Sequence, residues 1–295
     1  MKICICTTPI RKAPSVYPPF GSMAIIQAIR KTGKQARLYN ADYLRPKRED
    51  ILAFFGSNQF DIVGISAVVS TAYAYTRYLS QLIRSVSPKT VIIVGGNMAV
   101  SAEILLRKCN VDFCVVGNGE LIIQDLVLAI EKYSGNNKNA FQNIQGICFL
   151  DKNGKFVFTG YRNPPSAKEI EWADYSILLQ DSSFSYYITN TPEWYLDYGF
   201  EIPTHMRGKR CATVQVAKGC PNRCTFCHRW ERGYRDRPVD QIVDHIQYLK
   251  DQYNVGFISM GDESFGSNRK LPWSLPAIWG KWVSFGVQVA FGQNR

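Results

Sequence analysis

Along residues 1–135, short apolar runs alternate with stretches in which apolar side chains recur every three or four positions. The runs at 2–7, 61–66, 90–94 and 111–116 are apolar and largely β-branched, the pattern of strands covered on both faces, and 34–39 is strand-like. Helical spacing predicts helices over 22–31 (Met23, Ile26, Ile29), 48–55, 73–86, 101–108 and 121–133. Gly33 and Gly56 are expected to stop the first two, and Ser101 to cap the fourth. Residues 146–150 and 156–159, joined by the turn-forming stretch 151–155, read as a hairpin. Between 166 and 210 there is no clean period. Phe184, Tyr186, Tyr187, Trp194, Tyr195, Tyr198 and Phe200 crowd there, as expected of a connecting segment packed onto a neighbouring domain. A second alternation begins with a strand at 211–217. It continues with a helix at 239–253 (Ile242, Ile246 and Leu249 on one face), a strand at 256–260, an ill-defined helix around 275–283 and a strand at 287–291. His245 is expected on the solvent side of its helix.

This order predicts an α/β chain whose first part is a doubly wound parallel sheet of flavodoxin or Rossmann type. Three regions follow: a sheet domain over 1–135, a hairpin and aromatic-rich linker over 136–205, and a second α/β unit over 206–295. With 295 residues, 46% hydrophobic and 20% charged, disorder is excluded. No apolar run approaches the roughly 18–20 residues of a membrane helix, and the first residues lack a signal-peptide core, so a cytoplasmic protein is expected. The net charge of +11 is uneven: +7 over 1–50, −3 over 51–204, +7 over 205–238 and zero beyond. The second basic block is either solvated surface or an attractor for an anionic cofactor or acidic redox partner; nucleic acid is admitted by such a balance but not favoured.

That block surrounds the densest group of cysteines. Nine is an odd number, which argues against a fully paired disulfide framework. Cys4, Cys6, Cys109, Cys114, Cys148 and Cys211 lie singly or in apolar runs and read as small core hydrophobes. Cys220, Cys224 and Cys227 form C-x3-C-x2-C directly after a strand. Three thiolates so close converge on one metal or cluster. Zinc would need a fourth ligand, and His228 is adjacent to Cys227, which makes shared tetrahedral geometry difficult. Residues 224–228 also satisfy C-x-x-C-H haem attachment, which leaves Cys220 unexplained. A [4Fe–4S] cluster accepts three thiolates and keeps one iron open.

The motif, with Phe226 before its last cysteine, Gly219 before it and Gly261-Asp262-Glu263 ending the next strand, resembles the radical S-adenosylmethionine (SAM) superfamily. The resemblance implies that Cys220, Cys224 and Cys227 ligate a [4Fe–4S] cluster whose fourth iron takes the amino and carboxylate groups of SAM. It places Phe226 near the adenine and Gly261, Asp262 and Glu263 near the SAM amino group. It implies cleavage of SAM to a 5′-deoxyadenosyl radical, with Lys218, Arg223, Arg229 and Arg232 easing the charge of the added electron. A flavodoxin- or ferredoxin-type reductant would supply that electron. Residues 1–135 resemble the cobalamin-binding domain that precedes many radical SAM cores, through Pro18-Pro19-Phe20-Gly21, Ser66-Ala67-Val68, Gly95-Gly96 and Gly117-Asn118-Gly119-Glu120 after successive strands. Ser66, Gly95, Gly96, Gly117, Gly119 and Glu120 are thereby candidate cobalamin contacts. The family's Asp-x-His-x-x-Gly element is missing, and His205, His228 and His245 all lie beyond residue 200. Cobalamin would be held without a protein histidine ligand.

A partial six-unit barrel of this superfamily needs about 190 residues, by scaling from about 250 for eight units. Residues 211–295 allow about three strands, so the chain is expected to be truncated within its radical SAM core and inactive alone. Methyl transfer of cobalamin-dependent type is the expected reaction, on a small-molecule or macromolecular substrate that is not identified, with radical cyclisation close behind. Methylthiolation of tRNA or protein is an enzymatic alternative; a non-catalytic metal- or nucleic-acid-binding module is the alternative from another class.

Overall fold

The computed structural model describes residues 1–133, 138–190, 204, 207–225, 227, 233–262 and 288–291. The first sheet has seven strands. β1 (Ile3–Thr7), β2 (Ala36–Tyr39), β3 (Ile62–Ser66), β4 (Val91–Gly95) and β5 (Phe113–Val115) run parallel in the order β2-β1-β3-β4-β5. That is the flavodoxin-like order, whose switch point falls between β1 and β3. The hairpin of β6 (Ile147–Leu150) and β7 (Phe156–Phe158) continues this sheet antiparallel beyond β5, rather than opening a linker.

Helices α1 (Phe20–Arg30) and α6 (Gly119–Tyr133) cover one face; α3 (Arg48–Asn58), α4 (Tyr73–Val86) and α5 (Ala102–Lys108) cover the other, and the short α2 (Ala41–Leu44) follows β2. Two expected boundaries are corrected. Gly56 lies inside α3, which ends at Gln59 in the left-handed conformation (φ 48°). Ser101 makes no side-chain cap; a 3₁₀ turn over Asn97–Ser101 leads into α5 instead.

The second sheet has the order β13-β12-β9-β8. β9 (Arg210–Val214), β12 (Val255–Met260) and β13 (Gln288–Phe291) are parallel, and the two-residue β8 (Thr189–Asn190) is antiparallel at the edge. α7 (Phe184–Tyr187) precedes β8, and α8 (Val239–Tyr253) crosses from β9 to β12. The helix expected at 275–283 lies outside the described residues.

One core runs through both sheets. The α1–α6 face of the first sheet shares a single apolar cluster with Ala212, Val214, Ile242, Ile246, Leu249 and Ile258 of the second. Residues 172–187 lie between them and bond to each. Asp174 pairs with Arg30 at 2.9 Å, and Tyr187 Oη accepts from Asn40 Nδ2 at 3.0 Å. The fully buried Tyr175 donates its hydroxyl to the Thr213 carbonyl, and Phe184 packs on Tyr253. Phe184, Tyr186 and Tyr187 thus pack as the connecting segment was expected to; Trp194, Tyr195, Tyr198 and Phe200 lie outside the described residues.

Candidate functional site

Parallel strands all end on the same side of their sheet, so the loops that follow them gather at one edge. Here the carboxyl edges of both sheets face one cavity of about 1130 Å³. The first sheet contributes Thr7 at the end of β1 and Thr8 after it, Ser66 at the end of β3 and Glu120 at the start of α6. The second contributes Gln215, Ala217 and Lys218 after β9, and Gly261 and Asp262 after β12.

The cysteine loop is anchored by a hairpin that the sequence pattern does not announce. β10 (Ala217–Gly219) pairs antiparallel with β11 (Tyr234–Asp236), which fixes both ends of residues 220–233. Cys220 is half-buried, Cys224 and Cys227 are exposed, and the other six cysteines are buried, as expected. Cys220 and Cys227 line the cavity; Cys224 does not. Among the described residues no disulfide forms and no three metal-binding side chains are gathered. The donor set, three thiols on one loop with two of them at the cavity wall, fits an iron–sulfur cluster by its chemistry. Phe226 and Glu263 lie outside the described residues, as does His228.

Asp262 faces inward, but its carboxylate is already engaged. It accepts from the Val216 amide at 2.9 and 3.1 Å and from the Ala217 amide at 2.8 Å, tying the end of β12 to the root of the cysteine loop. Burial raises its pKa to about 6, against the pull of those amides and of Arg237. The Gly261 amide donates to the Val214 carbonyl at 3.0 Å.

Of the expected cobalamin contacts, the structure brings Ser66 and Glu120 to the cavity. Glu120 is ion-paired with Lys218, across the two sheets. Gly95, Gly96, Gly117 and Gly119 are not in the lining. Gly96 has φ 88° and ψ −178°, and a Cβ there would lie 2.6 Å from the Ala67 carbonyl oxygen. A Cβ on Gly119 would meet Ile25 at 2.8 Å. Close backbone and helix approach therefore accounts for these two glycines. A cavity of this size, with apolar Phe20 and Val68 beside Thr8 and Ser66 at the β1/β3 switch point, has room and chemistry for a large cofactor.

Sequence reasoning missed two residues of this wall. His245 is 1% exposed, not on the surface. It stands three residues after Ile242 and four before Leu249, which puts it on the buried stripe of α8. Burial, with the nearby Arg237 charge, lowers its pKa to about 3, and the Ala173 carbonyl offsets this only in part. Arg237 is 3% exposed and lines the same cavity. Burial lowers its pKa to about 10, and Asp262 works against the fall. Its position between β11 and Pro238 was the only available signal.

Comparison with known proteins agrees with this architecture. Residues 7–127 match the B12 binding domain model and residues 214–272 the radical SAM superfamily model. The anaerobic magnesium-protoporphyrin IX monomethyl ester cyclase of Rubrivivax gelatinosus is 31% identical over 215 residues, covering 71% of this chain and 35% of that protein. The cytidylyl-2-hydroxyethylphosphonate methyltransferase of Streptomyces wedmorensis is 25% identical over 255 residues, covering 74% of this chain and 46% of that protein. The chain thus spans between about a third and a half of the length of these relatives. Among solved structures, the radical SAM methyltransferase TsrM from Kitasatospora setae, with tryptophan substrate and a SAM analogue bound, superposes with a TM-score of 0.68 at 15% identity. That match covers 98% of this chain and 53% of TsrM. The cobalamin-dependent SAM radical enzyme OxsB, with aqua-cobalamin and SAM bound, superposes with a TM-score of 0.65 at 19% identity, covering 90% of this chain and 34% of OxsB. These likenesses establish the fold, a doubly wound domain followed by the first part of a partial barrel. Two domain models in this order, on the two sheets that share the cavity, make the chain a radical SAM superfamily protein with an N-terminal B12-binding domain.

Proposed function

We propose that this chain is the cofactor-holding part of a cobalamin-dependent radical SAM enzyme that transfers a methyl group to an unactivated carbon. One observation carries the reading: a single cavity opens on the carboxyl edges of both sheets, with Ser66 and Glu120 on one side and Cys220, Cys227, Gly261 and Asp262 on the other. When bound, the cluster with SAM supplies one-electron bond cleavage and cobalamin supplies a methyl carrier. The protein's share is placement. Cys220, Cys224 and Cys227 would hold the cluster, and the β10–β11 hairpin fixes their loop. Gly261 and Asp262 would border SAM, with Asp262 bracing the loop root through the Val216 and Ala217 amides. Ser66 and the other switch-point residues would border the corrin.

The test is anaerobic iron–sulfur reconstitution followed by EPR, with and without SAM. A reduced [4Fe–4S] signal that changes on adding SAM is expected; stoichiometric zinc without iron would end the reading. Cys224→Ala should abolish the signal. Absorbance titration with cobalamin should show binding at micromolar levels, and its absence would leave the first domain vestigial.

Cyclisation is the second reading, because the Rubrivivax gelatinosus cyclase is 31% identical, above the 25% of the methyltransferase. A product carrying a new methyl group separates the first from a ring closed without one. The reductant would be an acidic flavodoxin or ferredoxin docking on the basic block at 205–238. Charge reversal at Arg232 and Arg235 should slow cluster reduction and weaken its salt dependence.

A further inference from the structure

We propose that Arg237 is a carboxylate-binding residue in the cavity wall, seating an acid group of the small molecule that occupies it. The backbone sets the side chain in place: the Arg237 amide donates to the Val216 carbonyl at 2.8 Å, directly after the β10–β11 hairpin. Nη1 donates to the Gln215 carbonyl at 2.7 Å. Nε and Nη2 are buried and have no hydrogen-bond partner among the described residues. These two atoms form the side-on edge of the guanidinium, where two N–H bonds point the same way. That edge matches the two oxygens of one carboxylate.

A buried cation left with open donors is costly, and the nearby carboxylate does not satisfy it. Both Asp262 oxygens are taken by the Val216 and Ala217 amides, so Asp262 attracts Arg237 without closing on its fork. The surrounding charge selects the ligand. His245 is uncharged and adds no second cation, and Asp262 contributes negative charge. A single guanidinium beside Asp262, which also feels the Asp236 charge, suits a monoanion such as a carboxylate better than a phosphate dianion.

The proposal deepens the functional reading, and it rests on that reading only for calling the ligand a substrate or cosubstrate. Its test needs neither cluster nor turnover. The whole chain, labelled with ¹⁵N and ¹³C, is titrated with acetate, inorganic phosphate, SAM and 5′-methylthioadenosine, which is the nucleoside without the carboxylate. The reported signal is the Arg237 Nε–H resonance, assigned through bonds from its backbone. A downfield, saturating shift with acetate is expected. A matching shift with SAM but not with methylthioadenosine identifies the SAM carboxylate as a source; acetate alone points to a second molecule. Arg237→Lys keeps the charge without the fork and should bind acetate about tenfold more weakly. The proposal is overturned if neither acetate nor SAM moves the signal, if phosphate saturates it more tightly than acetate, or if methylthioadenosine moves it as SAM does. If the Lys variant fails to fold, the wild-type titration still decides. An EPR failure with a positive acetate titration would sink the enzyme reading and spare the subsite; the reverse would do the opposite.

Discussion

At the scale of single residues, the cavity wall opposes two titrations. His245 is uncharged in the native state, with a pKa of about 3, while the unfolded chain takes up a proton below about 6.5. Its stabilising effect is present above pH 6.5 and is lost as pH falls toward 3, by about 2 kcal/mol at pH 5. Asp262, with a native pKa of about 6 against an ordinary 3.8, acts in the other sense. The native state binds the proton first, so stability falls as pH rises from 3.8 to 6, and acidifying from pH 7 to 5 returns about 1 kcal/mol. The wild type should therefore change little between pH 7 and 5. His245→Leu should gain stability on acidification, and Asp262→Asn should lose it, in urea unfolding midpoints measured at both values. An unchanged pH response in the His245 variant would show that the histidine is not buried uncharged. Little of this was legible in the sequence. A histidine on a helix carries no mark of its face unless the apolar stripe is read to include positions 242, 245, 246 and 249. The core cysteines were most legible where they stand in apolar strand runs, as Cys4 and Cys6 do, because such a run leaves a small thiol nowhere to go but inward.

Secondary-structure elements were legible where local pattern decides them and obscure where distant pairing does. Four of the five parallel strands follow from apolar, largely β-branched runs, and α8 from a 3.6-residue period; β2, with Arg37 in its middle, carries the weaker signal. The β10–β11 hairpin does not, because its strands are three residues each and separated by the whole cysteine loop. The same distinction governs the glycines. Gly96 stands in a conformation essentially reserved for glycine, against the Ala67 carbonyl. Gly96→Ala should cost about 1–3 kcal/mol of stability whether or not cobalamin is present. Thermal melts with and without the cofactor check this; a loss seen only with cobalamin would return Gly96 to the ligand. Tyr175→Phe removes the bond to the Thr213 carbonyl and should cost about 1–2 kcal/mol, read from denaturant unfolding.

For the whole molecule, the joining of the two sheets decides how the site is built. Glu120, expected to meet a cofactor, instead meets Lys218, two residues before Cys220, with each side chain about a quarter exposed. A double-mutant cycle with Glu120→Gln and Lys218→Met should give a coupling of about 0.5–1 kcal/mol that shrinks with added salt. Zero coupling would mean that the two sheets are joined by apolar packing alone. The order of domains was legible from the repeated strand–helix alternation; their shared core was not, because residues 172–187 carry no period and take their structure from what lies on either side. Those residues also define how the protein could be recombined. A chimera that replaces the first domain with one from a relative, cut at the end of its sheet, would strand Asp174, Tyr175 and Tyr187 without the surfaces they fit. The transferable unit is the first domain together with its connector, and a graft that respects that seam keeps both walls of the cavity.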